Sequence, residues 1–113
     1  MQEVRRDDGE LCGYVAHVDG RWLALTVFGA TLAERDTQDA ARRAVADGGL
    51  AALADRWTLI DGSSGAEQVV CIQQASPAEV SLALGYYALP GAPTVTIPVA
   101  QLMSGRWRLE HRL

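Results

Sequence analysis

Two strand-like runs, residues 11–18 and 21–28, are separated only by Asp19-Gly20. Asp-Gly is a favoured type I′ pair, because both turn positions need positive φ and the resulting twist matches that of the flanking strands. This feature commits the start of the chain to an antiparallel hairpin. The tripeptide that leaves the turn, Gly20-Arg21-Trp22, returns behind Ser104 as Gly105-Arg106-Trp107. Each copy reads as a glycine turn feeding a strand, so hairpins are expected at both ends of the chain. In the second run Trp22, Ala24, Thr26 and Phe28 share one face, and Leu23, Leu25 and Val27 the other. Both faces are largely apolar, which places this strand inside a sheet or between two covering layers. Gly29 ends it, and residues 31–34 add a short third strand.

The period then lengthens. Asp36 is expected to cap a helix, with Asp39 adding negative charge near the positive end of its dipole. Ala40, Ala41, Ala44 and Val45 make the buried stripe, Asp39 and Arg43 stand at i,i+4, and Gly48-Gly49 supplies the stop. Leu50, Leu53, Ala54 and Trp57 fall at i, i+3, i+4 and i+7, which predicts a second short helix. From Trp57 onward the pattern is β. Residues 57–60 and 67–74 read as strands around the turn DGSSG, and Ser76-Pro77 marks the next bend. Residues 79–88 read as strand, although Ser76 with Glu79 three positions on also resembles a helix start. A loop over 89–93 leads to the strand TVTIPV, in which Pro98 demands an edge position or a bulge. The sequence therefore predicts an α+β fold built on a mainly antiparallel sheet or half-barrel. Its expected order is a β-hairpin, two helices, then four to five strands.

At 113 residues the chain suits a single domain spanning 1–113, with 1–10 a loose N-terminal segment. A chain of this size buries roughly two-thirds of its unfolded surface and needs neither metal nor disulfide to fold. No apolar run approaches the roughly 20 residues of a membrane span. The polar start MQEVRRDDGE lacks the apolar core of a secretory signal, so a cytoplasmic location is expected. Cys12 and Cys71 sit in apolar runs without CxxC spacing or a neighbouring histidine, which predicts buried thiols and no metal or cofactor.

No complete catalytic constellation is visible. GxSxG is absent, and a chain without lysine cannot make a Walker A loop. His17 stands alone on a strand, and His111 lies near the end of the chain. The expectation is a small non-catalytic module that binds another protein. Its candidate binding residues are Tyr86 and Tyr87, beside the proline loop, and Trp107, because exposed aromatics are enriched at interface hot spots. Arg21, Arg106 and Arg108 complete the set, and they carry the alternative reading, a nucleic-acid-binding accessory protein using the Gly-Arg-Trp hairpins and the arginine-rich C-terminus, where Arg106, Arg108 and Arg112 stand against Glu110. The net charge of −4 disfavours that alternative, because phosphate neutralisation supplies most nucleic-acid affinity. A third reading is a small-molecule or enzymatic half-barrel, for which few convergent polar groups are evident.

Residues 13–47 carry a turn with an aromatic behind it (Gly20, Arg21, Trp22), a further glycine (Gly29) and a small-residue helix face (Ala40, Ala41). This segment resembles the sheet-plus-helix modules of the AP2-like and integrase arm-binding type. The resemblance implies a small sheet backed by one amphipathic helix. It also implies DNA contact through the sheet, for which this chain would offer His17, Arg21 and Thr26. The arginine-only basic set and the absence of asparagine resemble small proteins of high-GC actinobacteria, a likeness that implies no activity.

Overall fold

A computed structural model describes residues 1–85 and 91–112. The chain divides into two compact units, Met1–Ala52 and Leu53–Leu113.

The first unit is an antiparallel sheet of β1 (Gln2–Arg5), β2 (Leu11–Val18), β3 (Arg21–Leu25) and β4 (Thr31–Arg35), in that spatial order. One helix, α1 (Gln38–Gly48), packs against it. The Asp19-Gly20 hairpin forms as its residues require. Val18 faces Arg21, and the two turn residues take φ of 50° and 77°. β3 stops at Leu25, sooner than the alternation suggests. Thr26 is fully buried and turns the chain instead: its hydroxyl accepts from the Ala30 amide at 3.1 Å, and its own amide donates to the Ala30 carbonyl at 2.9 Å. The helix cap is Thr37, not the expected Asp36. The Thr37 hydroxyl accepts from the Ala40 amide at 3.2 Å, the geometry that satisfies one of the open N-terminal donors. Ala41 and Val45 then bury their face against Val4, Cys12, Val15 and Ala24. The first ten residues include β1, whose Val4 belongs to this core.

A 3₁₀ turn, Ala51–Ala54, leads into the second unit. Its strands are β5 (Arg56–Asp61), β6 (Glu67–Ala75), β7 (Glu79–Leu84), β8 (Thr94–Pro98) and β9 (Trp107–Glu110), with a short helix α2 (Val99–Met103) between the last two. They form one antiparallel sheet in the order β8-β7-β6-β5-β9. Among the described residues the α+β class and antiparallel pairing agree with expectation. The order of helices does not. The second expected helix is a single 3₁₀ turn, and Trp57 belongs to β5, because Trp57 and Leu59 satisfy a period of two as readily as Leu50 to Trp57 satisfies 3.6. The expected strand TVTIPV ends at Pro98, and Val99–Met103 are helical. Consequently the second Gly-Arg-Trp does not leave a hairpin. Gly105 is a positive-φ turn residue as predicted, but β9 pairs with β5 at the far edge from β8.

The expected strand over 79–88 holds through Leu84; positions 86–88 lie outside the described residues. Trp57, Leu59, Val70, Leu82 and Ile97 are buried on one face, while Thr58, Val69, Ser81, Thr94 and Thr96 lie on the more open opposite face. Both cysteines are thiols; Cys12 is fully buried, whereas Cys71 is only half-buried because it lies on the open face. Pro98 sits on an edge strand, as its missing N–H requires. No helix among the described residues is long and apolar enough to cross a membrane.

Candidate binding cleft

The residues singled out from the sequence meet in part at one end of the second sheet. Asp61 and Trp107 are register partners across β5 and β9, and the Gly62 amide donates to the Arg106 carbonyl at 2.9 Å. This nonlocal pairing brings Arg106 to Asp61, with Nη1 2.9 Å from Oδ1. The same guanidinium lies over the Trp107 ring, its Cζ 4.5 Å from the centroid. Such stacking adds roughly 0.5–1 kcal/mol at an exposed site. Arg106 is therefore held by its own strand neighbour and by a carboxylate from β5.

Beside this pair is a cleft of about 300 Å³, lined by Leu59, Asp61, Gln68, Leu84, Val95 and Trp107. These residues come from all five strands. Flat strands spaced about 4.8 Å apart would hold β8 and β9 roughly 19 Å from one another. Val95 and Trp107 can share a small cleft only if the sheet coils strongly about its apolar face. The floor is aliphatic and aromatic, and the polar side chains that line it are the Asp61 and Glu67 carboxylates and the Gln68 amide. Asp61 also accepts from the Ser63 hydroxyl at 2.6 Å and the Ser63 amide at 2.8 Å. Those bonds, followed by the Arg106 charge, hold its carboxyl below the usual carboxylate range.

The other charges in β9 and just beyond it are matched in the same way. Arg108 pairs with Glu110. Arg112 grips Glu67 with both terminal nitrogens, at 2.8 and 3.1 Å, and also reaches Glu110 at 2.8 Å. Arg106, Arg108 and Arg112 thus face Asp61, Glu67 and Glu110, and the cluster is electrically balanced. The locally basic look of the C-terminal sequence arises because two of the three matching acids lie elsewhere in the chain. Arg21 lies in the first unit, 3.6 Å from Asp36. Tyr86 and Tyr87 lie outside the described residues.

The bonds from Arg112 lower the titration range of Glu67 and Glu110, and Arg108 adds to the effect on Glu110. Each carboxyl is depressed in the folded chain relative to an ordinary glutamate near 4.5. Their stabilising contribution is complete above that value and disappears as pH falls through the depressed folded range. Arg112→Ala should therefore lower stability at neutral pH and shrink the loss seen on acidification. Urea melts between neutral pH and about pH 3 check this, and equal acid slopes in the two proteins would refute it.

Both histidines are occupied by tryptophan. His17 stacks on Trp22 with ring centroids 4.3 Å apart, and His111 stacks on Trp57 at 4.7 Å while its Nε2 lies 2.9 Å from Asp55 Oδ2. Neither is placed in the cleft. Among the described residues no group of three or more histidine, cysteine or acidic side chains could hold a metal ion. Leu59, Leu84, Val95, Gln68 and Asp61 were not legible as site residues. Only the pairing of β5 with β9 and the coiling of the sheet bring them to Trp107. Comparison of the chain with protein-family models, with curated proteins and with solved structures finds no match.

Proposed function

We propose that the chain is a small non-catalytic accessory module that binds another protein, with the second unit's cleft receiving an apolar side chain of the partner. The observation that carries this reading is the cleft itself: an apolar floor of Leu59, Leu84, Val95 and Trp107 under a rim whose charges are already paired. At about 300 Å³ it stands at the lower bound of small-molecule pockets, a size suited to one anchoring side chain rather than a cofactor. Trp107 is half-buried, so part of its ring remains available to a ligand, and tryptophan is among the residues that dominate binding hot spots. The balanced charge of β9 favours a protein over a nucleic acid, since a backbone-tracking groove needs cations in excess of its own carboxylates. The two thiols suit the reducing cytoplasm, where we place the module.

Site-specific photocrosslinking tests this reading. A benzophenone side chain at Val95, inside the cleft, should yield a protease-sensitive adduct in extracts of the source cell. Leu84→Trp, which fills the cleft, should abolish that adduct, and the same probe at exposed Thr96 should give none. A nuclease-sensitive adduct, or one indifferent to Leu84→Trp, would refute the assignment.

A further inference from the structure

The two edges of the second sheet differ in a way that follows from hydrogen-bond register. On β8, the Leu84 amide donates to the Pro93 carbonyl and the Val99 amide to the Ala78 carbonyl. In an antiparallel ladder, bonded and non-bonded pairs alternate. Val95 and Ile97 therefore turn their backbone groups toward β7, and Thr94, Thr96 and Pro98 turn theirs outward. Proline at an outward position removes a donor and blunts the edge. On β9, the bond from Gly62 to Arg106 sets the opposite bookkeeping: Arg108 and Glu110 face β5, and Trp107 and Leu109 present their backbone groups outward. Among the described residues no hydrogen bond takes those outward amides. No proline guards this edge.

We propose that β9 pairs with β9 of a second copy, antiparallel about a two-fold axis at Leu109, joining the two sheets edge to edge. The choice of a second copy rests on the residue order Arg106-Trp107-Arg108-Leu109-Glu110-His111-Arg112. Centred on Leu109, such pairing sets Leu109 against its own counterpart and Trp107 against His111. It sets Arg108 against Glu110, twice by symmetry. Opposite charges directly across a strand pair stabilise it, and like charges destabilise it. Arg108 is 58% exposed at its side chain, so it can reach a neighbour without losing Glu110 of its own strand. The flanking Arg106 and Arg112 meet across the axis, but each brings a carboxylate with it, Asp61 and Glu67. The register is also the one that leaves the outward amide and carbonyl of Leu109 bonded to their symmetry mates. An isologous contact of this kind closes on itself and leaves no further open β9 edge.

Sedimentation equilibrium of the full chain across the micromolar range is the test. The wild type should approach twice its 12.1 kDa mass. Arg108→Glu, which sets carboxylate against carboxylate at both symmetric positions, should weaken association about tenfold or more. The swap Arg108→Glu with Glu110→Arg should restore it. Leu109→Pro deletes an outward amide and no bond to β5, so it should abolish the dimer while far-ultraviolet circular dichroism stays native. A wild type that remains at 12.1 kDa throughout overturns the proposal and leaves the edge to a foreign strand. Association that survives both Arg108→Glu and Leu109→Pro also overturns it, because the contact then lies elsewhere.

Discussion

Trp57→Ala should destabilise the protein by about 3–5 kcal/mol, the range for truncating a fully buried tryptophan. Trp57 is 1% exposed and lies on the apolar face of β5, in register with Val70 of β6. Two costs combine. The side chain's transfer free energy is lost, and the space it leaves is bounded by strands that cannot collapse without breaking ladder bonds. A third effect is local. His111 stacks on the indole and reaches Asp55, so the end of β9 loses one of the contacts that hold it down. Trp57→Phe keeps an aromatic partner for His111 and should recover much of the loss. Denaturant melts measure both. A loss below about 1 kcal/mol for Trp57→Ala would remove Trp57 from the core and, with it, the register of β5.

Trp57 also shows where sequence reading succeeds and where it stops. Its burial and its role at the start of a strand are visible in WTLI, since a large aromatic in an alternating apolar run has few other places to go. The helix expected before it does not form: Leu50, Leu53 and Ala54 match a helical period, yet Ala51–Ala54 make only a 3₁₀ turn. Local chemistry with a unique geometric solution was readable. Asp19-Gly20 dictates its turn, and Pro98 dictates an edge. Asp36 and Thr37 are both good caps one position apart, and the choice between them depends on where β4 ends. Residues 99–103 do carry a helical signal, since Pro98 and Val99 are followed by Ala, Gln, Leu and Met, all strong helix formers.

The cleft lay beyond this kind of reading. Trp107 and Arg106 were recognisable as an aromatic and a cation after a turn. Nothing local indicates that Trp107 faces Asp61, separated by most of the second unit, rather than the preceding strand. Adjacent strands in sequence usually pair, and here α2 defeats that expectation by carrying the chain from one sheet edge to the other. Charge was misleading for the same reason. Arg112 looks unmatched until β5, β6 and β9 bring Glu67 beside it.

Gly62→Ala should be the most damaging small substitution at the cleft, at about 2–4 kcal/mol. A β-carbon there would stand 1.9 Å from the Gly105 carbonyl oxygen and 2.9 Å from that of Arg106. Backbone oxygens cannot swing aside as a side chain would, so β9 must withdraw by about 1 Å or the end of β5 must peel away. Either movement breaks the bond from the Gly62 amide to Arg106 and pulls Arg106 from Asp61. Gly65 supplies the control. It has φ of +77° but open space around its missing side chain, so Gly65→Ala incurs only the left-handed backbone penalty, about 1 kcal/mol. Amide exchange distinguishes the two. The amides of Arg108 and Glu110 face β5 and should lose protection in Gly62→Ala, while those of β7 remain slow. Gly65→Ala should leave Arg108 and Glu110 as protected as in the wild type. If Gly62→Ala costs no more than Gly65→Ala and preserves that protection, β9 does not approach β5 as closely as the 1.9 Å contact requires, and the cleft loses the wall that Trp107 provides.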